Sequence, residues 1–140
     1  MNSTSKTRII TKIEELKRYY NDLNIILKED KALNKIGNQH GVAMLIQSII
    51  TAIIDIGDEI IRYKKLGVPT KYKEVFLILK DRNLISQDLC DSIIDLISYR
   101  NIIAHEYGYV EKEIILELLK KLEEPKEIIE LGRKLLLDKI

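Results

Sequence analysis

The sequence predicts an all-α protein, an up-and-down bundle of about five helices. Three observations predict it. Apolar residues recur at steps of three and four along most of the chain. Ile and Leu dominate the apolar set, with no Trp and a single Phe. The two prolines and most of the six glycines fall where helices should end.

The first helix is expected over about residues 7–33. Its apolar residues Ile9, Ile10, Ile13, Leu16, Tyr20, Leu23, Ile26 and Leu27 recur at three- and four-residue steps. A second helix is expected over about 38–66, with Gln47, Ser48, Thr51, Asp55, Asp58, Glu59 and Arg62 on a narrow polar stripe and apolar residues elsewhere. A helix so apolar must be covered, either by its own domain or by a second copy of the chain. The polar residues Asn38, Gln39, His40, Gln47, Ser48 and Thr51 argue against a membrane span. Gly67-Val68-Pro69-Thr70 breaks the chain. A short third helix then covers about 72–81, and Ser86 caps a fourth that carries on to Gly108. A fifth begins near Glu111, reaches Glu124, and kinks or restarts at Pro125.

Composition bounds the function. The 140 residues make one domain, 46% hydrophobic and 32% charged, large enough to bury a core without staples. Cys90 is the only cysteine, which excludes an internal disulfide and a Cys-based zinc site; set among Leu89, Ile93 and Ile94, it reads as a small buried side chain. Neither histidine has a partner at metal-ligand spacing, so no metal and no other cofactor is expected. The polar first residues have no signal-peptide core, and a reducing, cytoplasmic setting fits. A formal net charge of +1 is low for a protein that binds nucleic acid by bulk charge. Any polyanion must therefore meet a local patch. The best candidate is Arg62, Lys64, Lys65, Lys71 and Lys73, with Tyr63 and Tyr72 interleaved and no acid among them. Lys64 and Lys65 also suit the C-terminal end of a helix stopped by Gly67.

The segment Arg100-Asn101-Ile102-Ile103-Ala104-His105-Glu106-Tyr107 is the hardest to explain by folding alone. On a helix, Arg100, Ala104 and Tyr107 share a stripe, and Asn101 and His105 share the next, roughly 100° around. A guanidinium fork for a phosphate and an imidazole that exchanges protons near neutral pH can converge on one ligand there. Metal-free RNA cleavage needs these parts: a base for the ribose 2′-hydroxyl, an acid for the leaving oxygen and a cation for the phosphorane. One His cannot easily be base and acid in a single step, and a two-fold dimer would supply a second. The same residues also fit a salt-bridged surface Arg and a His at the edge of the core. Asp55, Asp58 and Glu59 read as the solvated face of the second helix, or as carboxylates that orient Arg100.

The run from Tyr99 to Tyr107 resembles the RN-x-x-x-H-x-Y signature of the HepT-like branch of the HEPN superfamily. Residues 47–58 are similar to that family's second helix, and residues 68–76 with Leu79 to its short third helix. The resemblance implies a homodimeric, metal-independent ribonuclease toxin of a bacterial toxin–antitoxin pair, with transfer RNA as substrate class. It implies that Arg100 and His105 are catalytic and that Asn101 helps hold them. It further implies that Tyr107 is adenylylated by a cognate MntA-like minimal nucleotidyltransferase antitoxin. Two other readings use the same helices: a non-catalytic module that docks such a transferase and presents its substrate, and a dimerising scaffold.

Overall fold

The structure, a computed structural model, describes residues 2–105 and 111–137, with the backbone alone described at positions 2, 3, 104 and 105. The described residues are helical with no strand among them: α1 (Asn2–Glu29), α2 (Ile36–Lys64), α3 (Tyr72–Asp81), α4 (Gln87–Ile97), α5 (Arg100–His105), α6 (Lys112–Leu119), a 3-10 turn (Glu124–Glu127) and α7 (Ile128–Leu136).

The turn between α1 and α2 is held by one side chain. Asp30 accepts from the backbone N–H of Asn34 and of Lys35, each at 2.9 Å, and from Asn38 Nδ2 at 3.1 Å. Leu33 takes the left-handed conformation inside this turn, and Gln39 Nε2 donates to its carbonyl at 2.7 Å. The backbone hydrogen bonds from Lys35 and Asn34 hold the Asp30 carboxyl below the usual carboxylate range. A depressed folded pKa means that the native state binds fewer protons than the unfolded chain. The contribution of Asp30 is therefore complete above the unfolded value of about 3.9 and disappears as pH falls through the folded value. Asp30→Asn is expected to lower stability above pH ~4 and to converge with the wild type in stronger acid. Urea unfolding from acid to neutral pH measures this, and parallel curves would contradict it. Glu74, also depressed through its hydrogen bonds from Thr70, leaves part of the acid dependence in place.

α2 is the axis of the bundle. It packs against α1, α3, α5, α6 and α7, and Ile46, Ile49, Ile50, Ile53, Ile56, Ile60 and Ile61 are buried along it. By length and composition alone α2 could cross a membrane. Its apolar surface is instead spent largely on neighbouring helices, which marks it as a core helix. Ile36 and Met44, near its start, stay exposed. Glu59 departs from the expected solvated stripe. It is only 9% exposed, with Oε1 accepting from Arg62 at 3.3 Å and Oε2 buried with no partner among the described residues. The polar stripe therefore narrows to its partly exposed members, and Asp55 and Asp58 belong to it.

α2 ends earlier than the glycine suggested. Lys65, not Gly67, takes the left-handed C-cap, and the backbone N–H groups of Lys65 and Leu66 close on Arg62 and Ile61. At Gly57 the side chains of α3 pack directly on the backbone of α2. A Cβ there would sit 2.7 Å from Val75 Cγ1 and 2.9 Å from the Phe76 ring. Thr70 opens α3 by donating its hydroxyl to Glu74 Oε2 at 2.6 Å and its backbone N–H to Oε1 at 3.3 Å. Ser86 caps α4 as expected, accepting from the Leu89 N–H at 3.0 Å. Cys90 is fully buried and its thiol donates to the Phe76 carbonyl at 3.5 Å; burial pushes the thiol pKa up.

The expected fourth helix is broken in two. Ser98 donates its hydroxyl to the Asp95 carbonyl, and the Tyr99 N–H closes on Leu96, three residues back, so the turn tightens and the α-helical ladder stops. α5 starts afresh when the Tyr99 carbonyl accepts from the Ile103 N–H. Beyond α6 the chain restarts at Pro125, which is buried in the 3-10 turn. α7 then returns to α1 and packs Gly132 against Ile13. Tyr20 joins these ends: it is 5% exposed and donates its hydroxyl to the Leu122 carbonyl at 2.7 Å.

Candidate active site

Arg100 is the first residue of α5, and the elements on both sides fix where it points. On one side Tyr99 is tied to the α6 region. Its hydroxyl donates to Glu117 at 3.4 Å, and the Lys121 ammonium lies 5.7 Å from its ring centroid. Lys121 in turn reaches Asp95 of α4 at 2.8 Å, and this hydrogen bond raises its pKa. Ile103, 7% exposed, anchors the inner face of α5 toward the core and the α2 contact. Asn101 and Ile102 face outward.

On the other side lies the start of α3. The Arg100 guanidinium carbon sits over the Tyr72 ring, 4.9 Å from its centroid. Arg100 is partly buried, and its Nε is fully buried with no hydrogen-bond partner among the described residues. Lys71, Tyr72, Lys73, Ile97, Ser98, Arg100 and Asn101 line one groove of about 460 Å³. Among the described residues no carboxylate lines it. A guanidinium and two ammoniums gathered around one opening create a local positive field despite the near-neutral whole. A second cleft, of about 520 Å³, shares Lys71 and Tyr72 with the first and is lined by Asp55 and Asp58.

The structure thus divides the expected basic patch. Lys71 and Lys73 join Arg100 and Asn101 in the groove. Arg62, Lys64 and Lys65 do not line it. Arg62 is held by Asp58 at 3.0 Å and Glu59 at 3.3 Å on its own helix, so its charge is answered locally. Asp55 pairs with Lys12 at 3.3 Å. The carboxylates of α2 are thereby engaged with other cations, and none bonds to Arg100 among the described residues. His105 is the last residue of α5, and its side chain lies outside the description, as does all of Tyr107. Among the described residues no cluster of three or more His, Cys, Asp or Glu could hold a metal ion.

Tyr72 is the residue of the groove that sequence reasoning missed. It is noted above only as an aromatic between two lysines. Its contact with Arg100 spans 28 residues of sequence and depends on how α3 docks, which local spacing does not encode.

The fold and the groove define a class: an all-α protein that presents a cationic recess of the kind a phosphate backbone occupies. Comparison with known proteins gives that class its family. The model of the ribonuclease HepT-like family matches residues 9–131, and the chain belongs to that family. It is a ribonuclease of the HepT-like type. A curated relative from Shewanella oneidensis, named mRNA nuclease HepT, is 30% identical over 118 residues, which cover 80% of this chain and 85% of the relative. The fold matches a solved toxin–antitoxin complex with AMP-PNP at a TM-score of 0.79 and 26% identity, over 91% of this chain and 98% of the other. It matches the tri-AMPylated HEPN toxin of Shewanella oneidensis, in complex with an MNT antitoxin, at 0.79 and 27% identity, over 95% and 98%. YutE of Bacillus subtilis, a cytosolic protein of unknown function, shares the fold at 0.77 and 19% identity, over 93% and 92%.

Proposed function

We propose that this chain is the toxin of a bacterial toxin–antitoxin pair, a metal-independent endoribonuclease that works in the cytoplasm. The observation that carries the proposal is the groove in which Arg100, Lys71 and Lys73 stand together, with no acid among its described lining residues. Such a recess attracts a phosphodiester, and a guanidinium fork is the group best matched to its oxygens.

In this reading Arg100 and His105 are the catalytic residues and Asn101 helps to hold them. Lys71 and Lys73 contact the RNA backbone. A base takes the ribose 2′-hydroxyl proton as that oxygen bonds to phosphorus. Arg100 stabilises the charge of the phosphorane, and an acid protonates the departing 5′-oxygen. The products are a 2′,3′-cyclic phosphate and a 5′-hydroxyl. A homodimer supplies the second His105, and exposed Ile102, on α5 beside Asn101, is an apolar side chain suited to such an interface. RNA is the substrate; the family resemblance favours transfer RNA, while the Shewanella oneidensis relative is named for mRNA.

The partner is a nucleotidyltransferase antitoxin of the MntA kind, and the adenylylated residue is Tyr107. The tri-AMPylated state of the related toxin supports this. Each transferred nucleotide brings a negative phosphodiester to a site seven residues from Arg100, where it competes for the guanidinium and repels an incoming backbone.

The test is cleavage of transfer RNA and messenger RNA, with chelator present, by the wild type, Arg100→Ala and His105→Ala. Cleavage by the wild type alone is the expected result. Equal cleavage by all three would overturn the assignment of these residues.

A further inference from the structure

We propose that Tyr72 is a positioning residue for cleavage: its ring holds the Arg100 guanidinium in place and leaves the charge and the donors of that group unspent. The inference rests on the reading of Arg100 as the phosphate-binding cation.

An arginine that must meet a phosphate faces a conflict. A carboxylate would orient it well, but would bond to the donors that the phosphate needs and cancel the charge that attracts it. An aromatic face avoids the conflict, because it attracts the cation through its quadrupole and occupies no N–H. The surroundings of Arg100 fit this solution at each point. Its guanidinium carbon lies 4.9 Å from the Tyr72 centroid. Among the described residues the groove contains no acid, and the nearby α2 carboxylates are paired with Lys12 and Arg62. The buried Nε has no partner among the described residues, so no hydrogen bond to them from that atom fixes the group's rotation. The stack on Tyr72 is the contact that the described residues give the guanidinium.

Tyr72 is itself held firmly enough to serve. It is the first residue of α3, placed between the Thr70–Glu74 bonds that open the helix and the buried pair Val75 and Phe76. That pair is seated against Gly57, where an added Cβ would press on the Val75 and Phe76 side chains. The ring, half exposed, is thus carried by a rigid element while its face borders the groove.

The experiment is steady-state cleavage of an RNA oligonucleotide by full-length Tyr72→Phe, Tyr72→Trp and Tyr72→Leu, with melting curves for each. Tyr72→Phe and Tyr72→Trp keep a π face and are expected to stay within about twofold of the wild type. Tyr72→Leu is expected to lose roughly three- to tenfold, the size of a partly exposed cation–π contact, with the loss mainly in kcat. Free guanidinium should partly restore cleavage to Arg100→Ala and fail to do so in Arg100→Ala/Tyr72→Leu, a difference that a merely structural tyrosine would not produce. Full activity of Tyr72→Leu, or an equal loss in Tyr72→Phe, overturns the role of the ring. If Arg100→Ala itself cleaves normally, it is the underlying reading of Arg100 that fails.

Discussion

Arg100→Lys is expected to lose RNA cleavage nearly as fully as Arg100→Ala, by about 10²–10³-fold, the effect of removing a donor aimed at developing charge. Lysine keeps the positive charge but presents a compact ammonium in place of a planar fork. It cannot stack flat on the Tyr72 ring while directing two parallel N–H groups at one phosphate. Stability should change little, by about 1 kcal/mol or less, because Arg100 forms no ion pair among the described residues and carries an unsatisfied buried Nε. Parallel cleavage assays and thermal melts check both halves. A lysine variant with full activity would mean that the groove needs only charge.

The largest expected effect on stability belongs to Phe76→Ala. Phe76 is fully buried, packs against the bare backbone at Gly57 and accepts the Cys90 thiol at its carbonyl. Truncating a ring in such a place costs about 3–5 kcal/mol, with a melting temperature lower by roughly 10 °C or more. Gly57→Ala acts at the same contact from the opposite side. Its new methyl overlaps Phe76 and the stiff β-branched Val75, costing about 1–3 kcal/mol, offset by up to about 1 kcal/mol from better helix propensity. The two should not add. Phe76→Ala opens part of the space that the methyl needs, so the cost of Gly57→Ala shrinks in that background, though Val75 at 2.7 Å prevents it from vanishing. Denaturant unfolding of the four proteins measures the coupling, and strict additivity would contradict the packing described.

Much of this arrangement can be read from residue order. The isoleucines of α2 recur at helical steps because that helix is enclosed on several sides, and the enclosure is what the structure shows. Ser86 and Pro125 act locally, as a cap and as a restart, so their effects follow from their own chemistry. Other features need a partner distant in sequence or a competition between near-equal options. Ser98 breaks a helix that periodicity continues, because its hydroxyl claims a carbonyl that periodicity does not count. Lys65 adopts the left-handed conformation two residues before a glycine better suited to it, so the helix end is set by the packing of α2. Glu59 looks like surface by its charge and lies in the interior. In the site, Arg100 stands out by residue type, while the choice of Lys71 and Lys73 over Arg62, Lys64 and Lys65 is made only when α3 docks beside α5.

The return of α7 to α1 has a consequence for the birth of the protein. The stripe of α1 that carries Ile9 and Ile13 leaves the ribosome well before part of its cover, around Gly132. Until then an apolar seam stays open on the growing polypeptide, available to chaperones and unable to settle. The bundle can therefore close only after α7 has emerged, and until then α1 is the part of the chain most open to proteases.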